Sequence, residues 1–174
     1  MKRALVLYDS HFGNTKAVAL ALVRGIEATG TETECLNIDE ASLQQIPGFD
    51  FIAIGGPTHI IRTSKEMKDF LMQLRSIELR GIMGFAFDTR IESRMNQRKW
   101  GVFENSAARR IQGAMKRMKM KIIRNRQSAL VQGREGPLAP GVENEFEKVG
   151  REIGAIIVEA TRQSSNGAGI HERK

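Results

Sequence analysis

The sequence predicts a single α/β domain, built as a doubly wound parallel sheet with helices on both faces. Three observations carry this. Short apolar runs of strand length recur along the chain. Between them lie stretches with apolar residues at helical spacing. The junctions are rich in Gly, Pro, Asn and Asp. Strands that alternate with helices require right-handed βαβ crossovers, and crossover helices cover both sides of the sheet. The chain has 174 residues, enough for one such domain with a sizeable core.

Residues 3–8 form the first apolar strand. Residues 14–28 read as a helix, with Val18, Leu22, Val23 and Ile26 on one stripe and Gly30 as its stop. Residues 33–38 alternate as a second strand with Cys35 inside. A helical turn is expected from Ser42 to Ile46, before Pro47-Gly48. Residues 50–55 are a third strand, closed by the breakers Gly56-Pro57-Thr58-His59. A helix follows over 64–75, with Met67, Phe70, Leu71 and Leu74 on one side. The fourth strand is 82–87 and ends at Asp88-Thr89. Residues 103–119 are a basic helix, and 121–131 a fifth strand with a polar middle. Gly133 to Gly141 is a Gly/Pro loop. The last helix, 142–160, turns Phe146, Val149, Ile153, Ile156 and Ile157 to the core. One domain over 1–162 accounts for this pattern. The polar, Gly/Ser-rich stretch 163–174 is expected to be a disordered tail.

The apolar run after Lys2-Arg3 ends at Asp9, too short for a signal peptide. No apolar segment has the length of a bilayer span, so no membrane insertion is expected. The lone Cys35 can form no intrachain disulfide, and a reducing, cytoplasmic setting is the natural expectation. One Cys and three scattered His give no zinc or iron–sulfur pattern, and no nucleophile–base motif is present, so neither metal ligands nor catalytic residues are assigned. Net charge is +7, concentrated between Arg90 and Arg126, where 12 basic residues face only Glu92 and Glu104. Such a field favours an acidic partner, an anionic ligand or nucleic acid, and equally suits a solvated helix face.

"DSHFGNT", residues 9–15, joins the first strand to the first helix, where open parallel sheets hold ligands. It is neither a P-loop nor a GxGxxG fingerprint, and it has no Lys or Arg. It offers the hydroxyls of Ser10 and Thr15, the Asn14 amide and backbone N–H groups at a helix N-terminus. Those donors suit an anion, and Gly13 lets the backbone approach it. A terminal phosphate fits; so does a plain N-cap turn made by Ser10 or Asn14.

"YDSHFGNT" resembles the phosphate loop of flavodoxins and flavodoxin-like domains, and "FDFIAIGGPTH", residues 49–59, resembles their second loop. "GPLAPGVENEFEKVGREIGAII" sits where that family has its last helix. The resemblance spans roughly residues 3–160. It implies a five-stranded sheet in the order 2-1-3-4-5 and FMN as cofactor. It places Ser10, His11, Phe12, Gly13, Asn14 and Thr15 around the ribityl phosphate. Pro57, Thr58, His59 and Ile60 then line one side of the ring, and Asp88, Thr89 and Arg90 the other side or the pyrimidine edge. His59 stands where the family often stacks a Trp or Tyr; Trp100 is a candidate for the second stacking ring, and equally for a core or helix-packing role.

The resemblance implies two functions. One is an electron carrier whose basic stretch docks an acidic redox protein. The other is a flavin-dependent reductase that moves a hydride from a nicotinamide to a quinone-type acceptor, with Arg90, Arg94 or Arg98 on the nicotinamide's phosphates. Binding of nucleic acid is disfavoured, because only Trp100 and Phe103 could stack on bases in the basic stretch. Positive surroundings also predict a less negative potential than an acidic member of the family has.

Overall fold

In the computed structural model the described residues are 2–58, 63–91 and 106–167. They form strands β1 (Arg3–Tyr8), β2 (Glu32–Asn37), β3 (Phe51–Pro57), β4 (Met83–Ile91), β5 (Lys121–Ile122) and β6 (Gln127–Val131). The helices are α1 (Asn14–Glu27), α2 (Lys65–Gln73), α3 (Ala107–Arg117) and α4 (Val142–Gly167), with 3₁₀ turns at Ile46–Gly48 and Leu74–Ser76. The sheet order is β2-β1-β3-β4-β5, every pair being parallel, and β6 also pairs with β4.

The predicted fifth strand is therefore present in two pieces along one neighbour. Met83 pairs with Lys121 and Gly84 with Ile122, an offset of 38, whereas Phe87 pairs with Gln127 and Asp88 with Ser128, an offset of 40. The Ile123 N–H still donates to the Gly84 carbonyl at 3.2 Å, and residues 124–126 then bow out of the ladder and are tied on both sides. Arg124 pairs with Glu152 of α4, and the Arg126 N–H donates to Gln112 Oε1 of α3 at 2.9 Å. The fourth strand also runs past Asp88-Thr89 to Ile91, because β6 supplies ladder partners as far as Val131.

Two cores flank the sheet. On one face, Val18, Leu22, Ile26, Phe146, Val149, Ile153 and Ile157 of α1 and α4 pack on Val6, Phe51, Phe85 and Phe87. On the other, Met67, Phe70, Leu71, Ile111 and Met115 of α2 and α3 pack on Leu5, Leu7, Ile52 and Ile54. The helical stripes read from the sequence are buried with one correction: Ile156 is 40% exposed, at the edge of the α4 stripe. The α4 helix also continues to Gly167, past the point where the sequence pattern gives out.

Helices α1 and α4 touch through glycine. A Cβ on Gly25 would lie 2.0 Å from the Glu147 carbonyl oxygen, and one on Gly150 2.2 Å from that of Leu22. On the exposed face of α3, by contrast, a Cβ on Gly113 would meet nothing within 4 Å.

Cys35 is half-buried in β2 against the first core. Burial pushes its thiol up to about 11, with Lys16 opposing and Glu27 and Glu40 adding. A thiol with a pKa so far above neutral holds its proton, and only the thiolate is nucleophilic. Iodoacetamide at pH 8 should therefore alkylate native Cys35 slowly and the denatured chain promptly, read as a mass shift over time. Equal rates would contradict this burial.

Candidate functional site

At the C-terminal edge of the sheet, β1 leads into the loop 9–13 and then α1. Gly13 occupies the N-cap with φ +87, a left-handed conformation that suits glycine, and no side chain caps the helix. Helices α2 and α3 differ. Ser64 Oγ accepts from the Met67 N–H at 3.0 Å and Ser106 Oγ from the Arg109 N–H at 3.1 Å. The capping alternative for the first loop is thus not realised. Ser10 Oγ accepts from the Gly13 N–H at 3.1 Å, and Asn14 Nδ2 donates away to the Glu135 carbonyl at 3.0 Å. The first-turn amides of α1 receive no side-chain cap, and they carry the helix's partial positive charge.

These groups open on a cavity of about 840 Å³, lined by Ser10, His11, Phe12, Asn14, Thr15, Pro57, Thr58, Thr89, Arg90, Ile91, Val131 and Arg134. That volume lies within the roughly 300–1,000 Å³ usual for small-molecule sites. The ends of β1, β3, β4 and β6 thus converge on one space. Hydrogen bonds hold the walls together: Thr15 Oγ1 lies 2.9 Å from Thr89 Oγ1 in a buried contact, and the Thr58 N–H donates to the Thr89 carbonyl at 2.8 Å.

Nine residues expected at the site line this cavity: Ser10, His11, Phe12, Asn14, Thr15, Pro57, Thr58, Thr89 and Arg90. Gly13 shapes the loop. Asp88 sits beneath the wall, fully buried. Its Oδ2 accepts from Thr58 Oγ1 at 2.6 Å and from the Ala108 N–H at 3.3 Å, so it ties the site to the start of α3. Arg90 Nε lies 3.7 Å from Asp88 Oδ1, and its side chain is only 15% exposed. His59, Ile60 and Trp100, with Arg62, Arg94, Arg98 and Phe103, lie outside the described residues.

Sequence reasoning missed Ile91, Val131 and Arg134. The signal was available: the loop after the fifth strand ends on the same sheet edge as the first loop, and ligand sites draw on every loop there. It also missed a grouping of Asp9, His11 and Glu66, whose ligand atoms all lie within 4.8 Å of one another. Asp9 already accepts from Ser64 Oγ, and the other two residues are exposed, so no metal is assigned to it.

The uncapped helix end fits a terminal phosphate, and the apolar walls at Pro57, Ile91 and Val131 suit a flat heterocycle beside it. The family model described as a flavodoxin domain matches residues 5–125. A flavodoxin of Aquifex aeolicus is 37% identical over 40% of this chain and 38% of its own length. A protein of Cupriavidus metallidurans named NAD(P)H dehydrogenase (quinone) is 28% identical over 48% of this chain and 52% of its own. The chain thus spans about half the length, or less, of these curated relatives. Among solved structures, a flavodoxin from the domain Archaea shares the fold with a TM-score of 0.73 and 22% identity, covering 89% of this chain and 98% of that one. The chain belongs to the flavodoxin domain family, a family that binds FMN.

Proposed function

We propose that this chain is a cytoplasmic electron carrier that holds FMN at the C-terminal edge of its sheet and docks an acidic redox protein through its basic face. The observation that carries the reading is the uncapped N-terminus of α1 opening on the cavity. When bound, the cofactor supplies reversible electron uptake. The chain supplies the rest. Ser10, Asn14, Thr15 and the first-turn amides of α1 hold the phosphate. Pro57 and Thr58 form one wall and Thr89, Arg90 and Ile91 another; the resemblance assigns His59 and Ile60 to the ring and makes Trp100 a candidate for it. Helix α3 begins at this site, where the Ala107 N–H donates to Thr58 Oγ1 at 2.8 Å, and it carries exposed Arg110, Lys116 and Arg117 and no acidic residue. Electron transfer to an acidic partner should therefore slow as ionic strength rises. Among the described residues no helix is long and apolar enough to cross a membrane.

The direct test is the absorption spectrum of the purified protein, followed by titration with FMN. The two visible bands of a bound flavin are expected. A colourless protein that takes up no added FMN would overturn the assignment.

A second reading, an FMN-dependent NAD(P)H:quinone-type oxidoreductase, is favoured by one observation. Arg90 and Arg134 line the cavity and, among the described residues, no carboxylate does, which suits a phosphorylated nicotinamide. Sustained oxidation of NADH or NADPH with a quinone would establish it over the carrier.

A further inference from the structure

We propose that Arg134 is the phosphate-binding cation of the cofactor site: the loop after the fifth strand delivers a guanidinium to a cradle whose own loop has none, and so makes the pocket selective for a phosphorylated flavin. The proposal rests on the FMN reading and goes beyond it. The loop 9–15 offers the phosphate neutral donors together with His11, and no Lys or Arg.

The chain beyond β6 folds back on itself. The Gln132 N–H donates to the Pro137 carbonyl at 2.9 Å and the Ala139 N–H to that of Leu130 at 2.8 Å. Val131 bridges Leu138 in antiparallel fashion. Within this hairpin the Gly136 N–H donates to the Gly133 carbonyl at 3.3 Å, which leaves Arg134 and Glu135 at the tip.

The tip is fastened to the phosphate cradle. Asn14, the first residue of α1, donates from Nδ2 to the Glu135 carbonyl at 3.0 Å. Gly136 has φ +113, and a Cβ there would stand 2.6 Å from Asn14 Oδ1, so the two loops are in direct contact. Arg134 is among the residues that line the same cavity as Ser10, Asn14 and Thr15, and Glu135 is not.

Arg90, the other lining arginine, serves a different part of the site. It is on β4, 3.7 Å from the buried Asp88 carboxylate, whose charge offsets its own. Arg134 is the cation tied to the cradle itself. A guanidinium can donate two parallel hydrogen bonds to phosphate oxygens, so its contribution depends on the phosphate and not on the ring.

The test titrates the apoprotein with FMN and with riboflavin, followed by flavin fluorescence at two ionic strengths, for the parent, Arg134→Gln and Arg134→Lys. Arg134→Gln should weaken FMN about tenfold to a hundredfold. It should leave riboflavin affinity unchanged, flatten the salt dependence and weaken competition by inorganic phosphate. Arg134→Lys should restore part of the loss. Unchanged FMN affinity overturns the proposal, as does an equal loss for both flavins. A raised KM for NADPH with FMN affinity intact also overturns it, by giving the arginine to a dinucleotide. A parent that binds neither flavin would fail the FMN reading itself, an outcome distinct from failure of the variant alone.

Discussion

Gly150→Ala is expected to destabilise the protein by about 3 kcal/mol, whereas the same change at Gly113 should stabilise it by up to about 1 kcal/mol. Both glycines are inside helices, where alanine is favoured by ~1 kcal/mol, so intrinsic propensity predicts a gain at both. The surroundings decide the sign. At Gly150 the new methyl would lie 2.2 Å from the Leu22 carbonyl oxygen and 2.9 Å from Gly25 Cα. These are backbone atoms and cannot swing aside, so α1 and α4 must separate and loosen the core around Phe146 and Ile153. At Gly113 a methyl meets open space. For a domain of this size each kcal/mol moves Tm by ~2–4 °C. The Tm read by circular dichroism should then fall by about 6–12 °C for the first variant and rise slightly for the second. A Gly150→Ala protein as stable as the parent would mean that the two backbones are not in contact.

The second large effect concerns the reduction potential. Reduction of an FMN held in the cavity would place negative charge near Arg90, which lines it and has the buried Asp88 carboxylate 3.7 Å away. A unit charge about 6 Å from a developing charge, at an effective dielectric near 20, contributes ~3 kcal/mol. For a one-electron step that corresponds to on the order of 100 mV, because ~59 mV is a tenfold change. Arg90→Gln should lower the potential by up to that amount, and Asp88→Asn should raise it. The asparagine keeps an oxygen to accept from Thr58 and Ala108, so its effect isolates the charge. Spectroelectrochemical titration of the three proteins decides the matter. Shifts in the same direction, or both below about 20 mV, would remove these two residues from control of the potential.

Much of this architecture was legible because burial is periodic. Val18, Leu22, Val23 and Ile26 of α1, and Met67, Phe70 and Leu71 of α2, are buried as their spacing requires. The first loop was legible as a row of donors because hydroxyl, amide and glycine residues follow an apolar strand and open a helix. Its uncapped end was not, since Ser10 and Asn14 are both capping residues and only their contacts with Gly13 and Glu135 show that neither caps. The split in the fifth strand was not, since two extra residues leave the alternation of β6 in phase with that of β5. Thr89 and Arg90 read as loop by their polarity, yet β6 holds them in a ladder. Ile156 illustrates the coarseness of a helical stripe, for a position at its margin can face either way. Arg134 was hidden because a Gly/Pro-rich segment reads as a connector, and its place at the cavity depends on a contact with Asn14 far away in the chain.

The bowed residues 124–126 have a consequence for how this fold can change length. Side chains along a strand alternate between faces, so only an even insertion preserves the parity of the residues downstream of it. The two surplus residues here meet that condition. One residue more would turn Ala129 out of its core and Ser128 into that face, which α1 and α4 cover. A further pair would leave both faces in place, so this is the point where the sheet could grow without being redesigned.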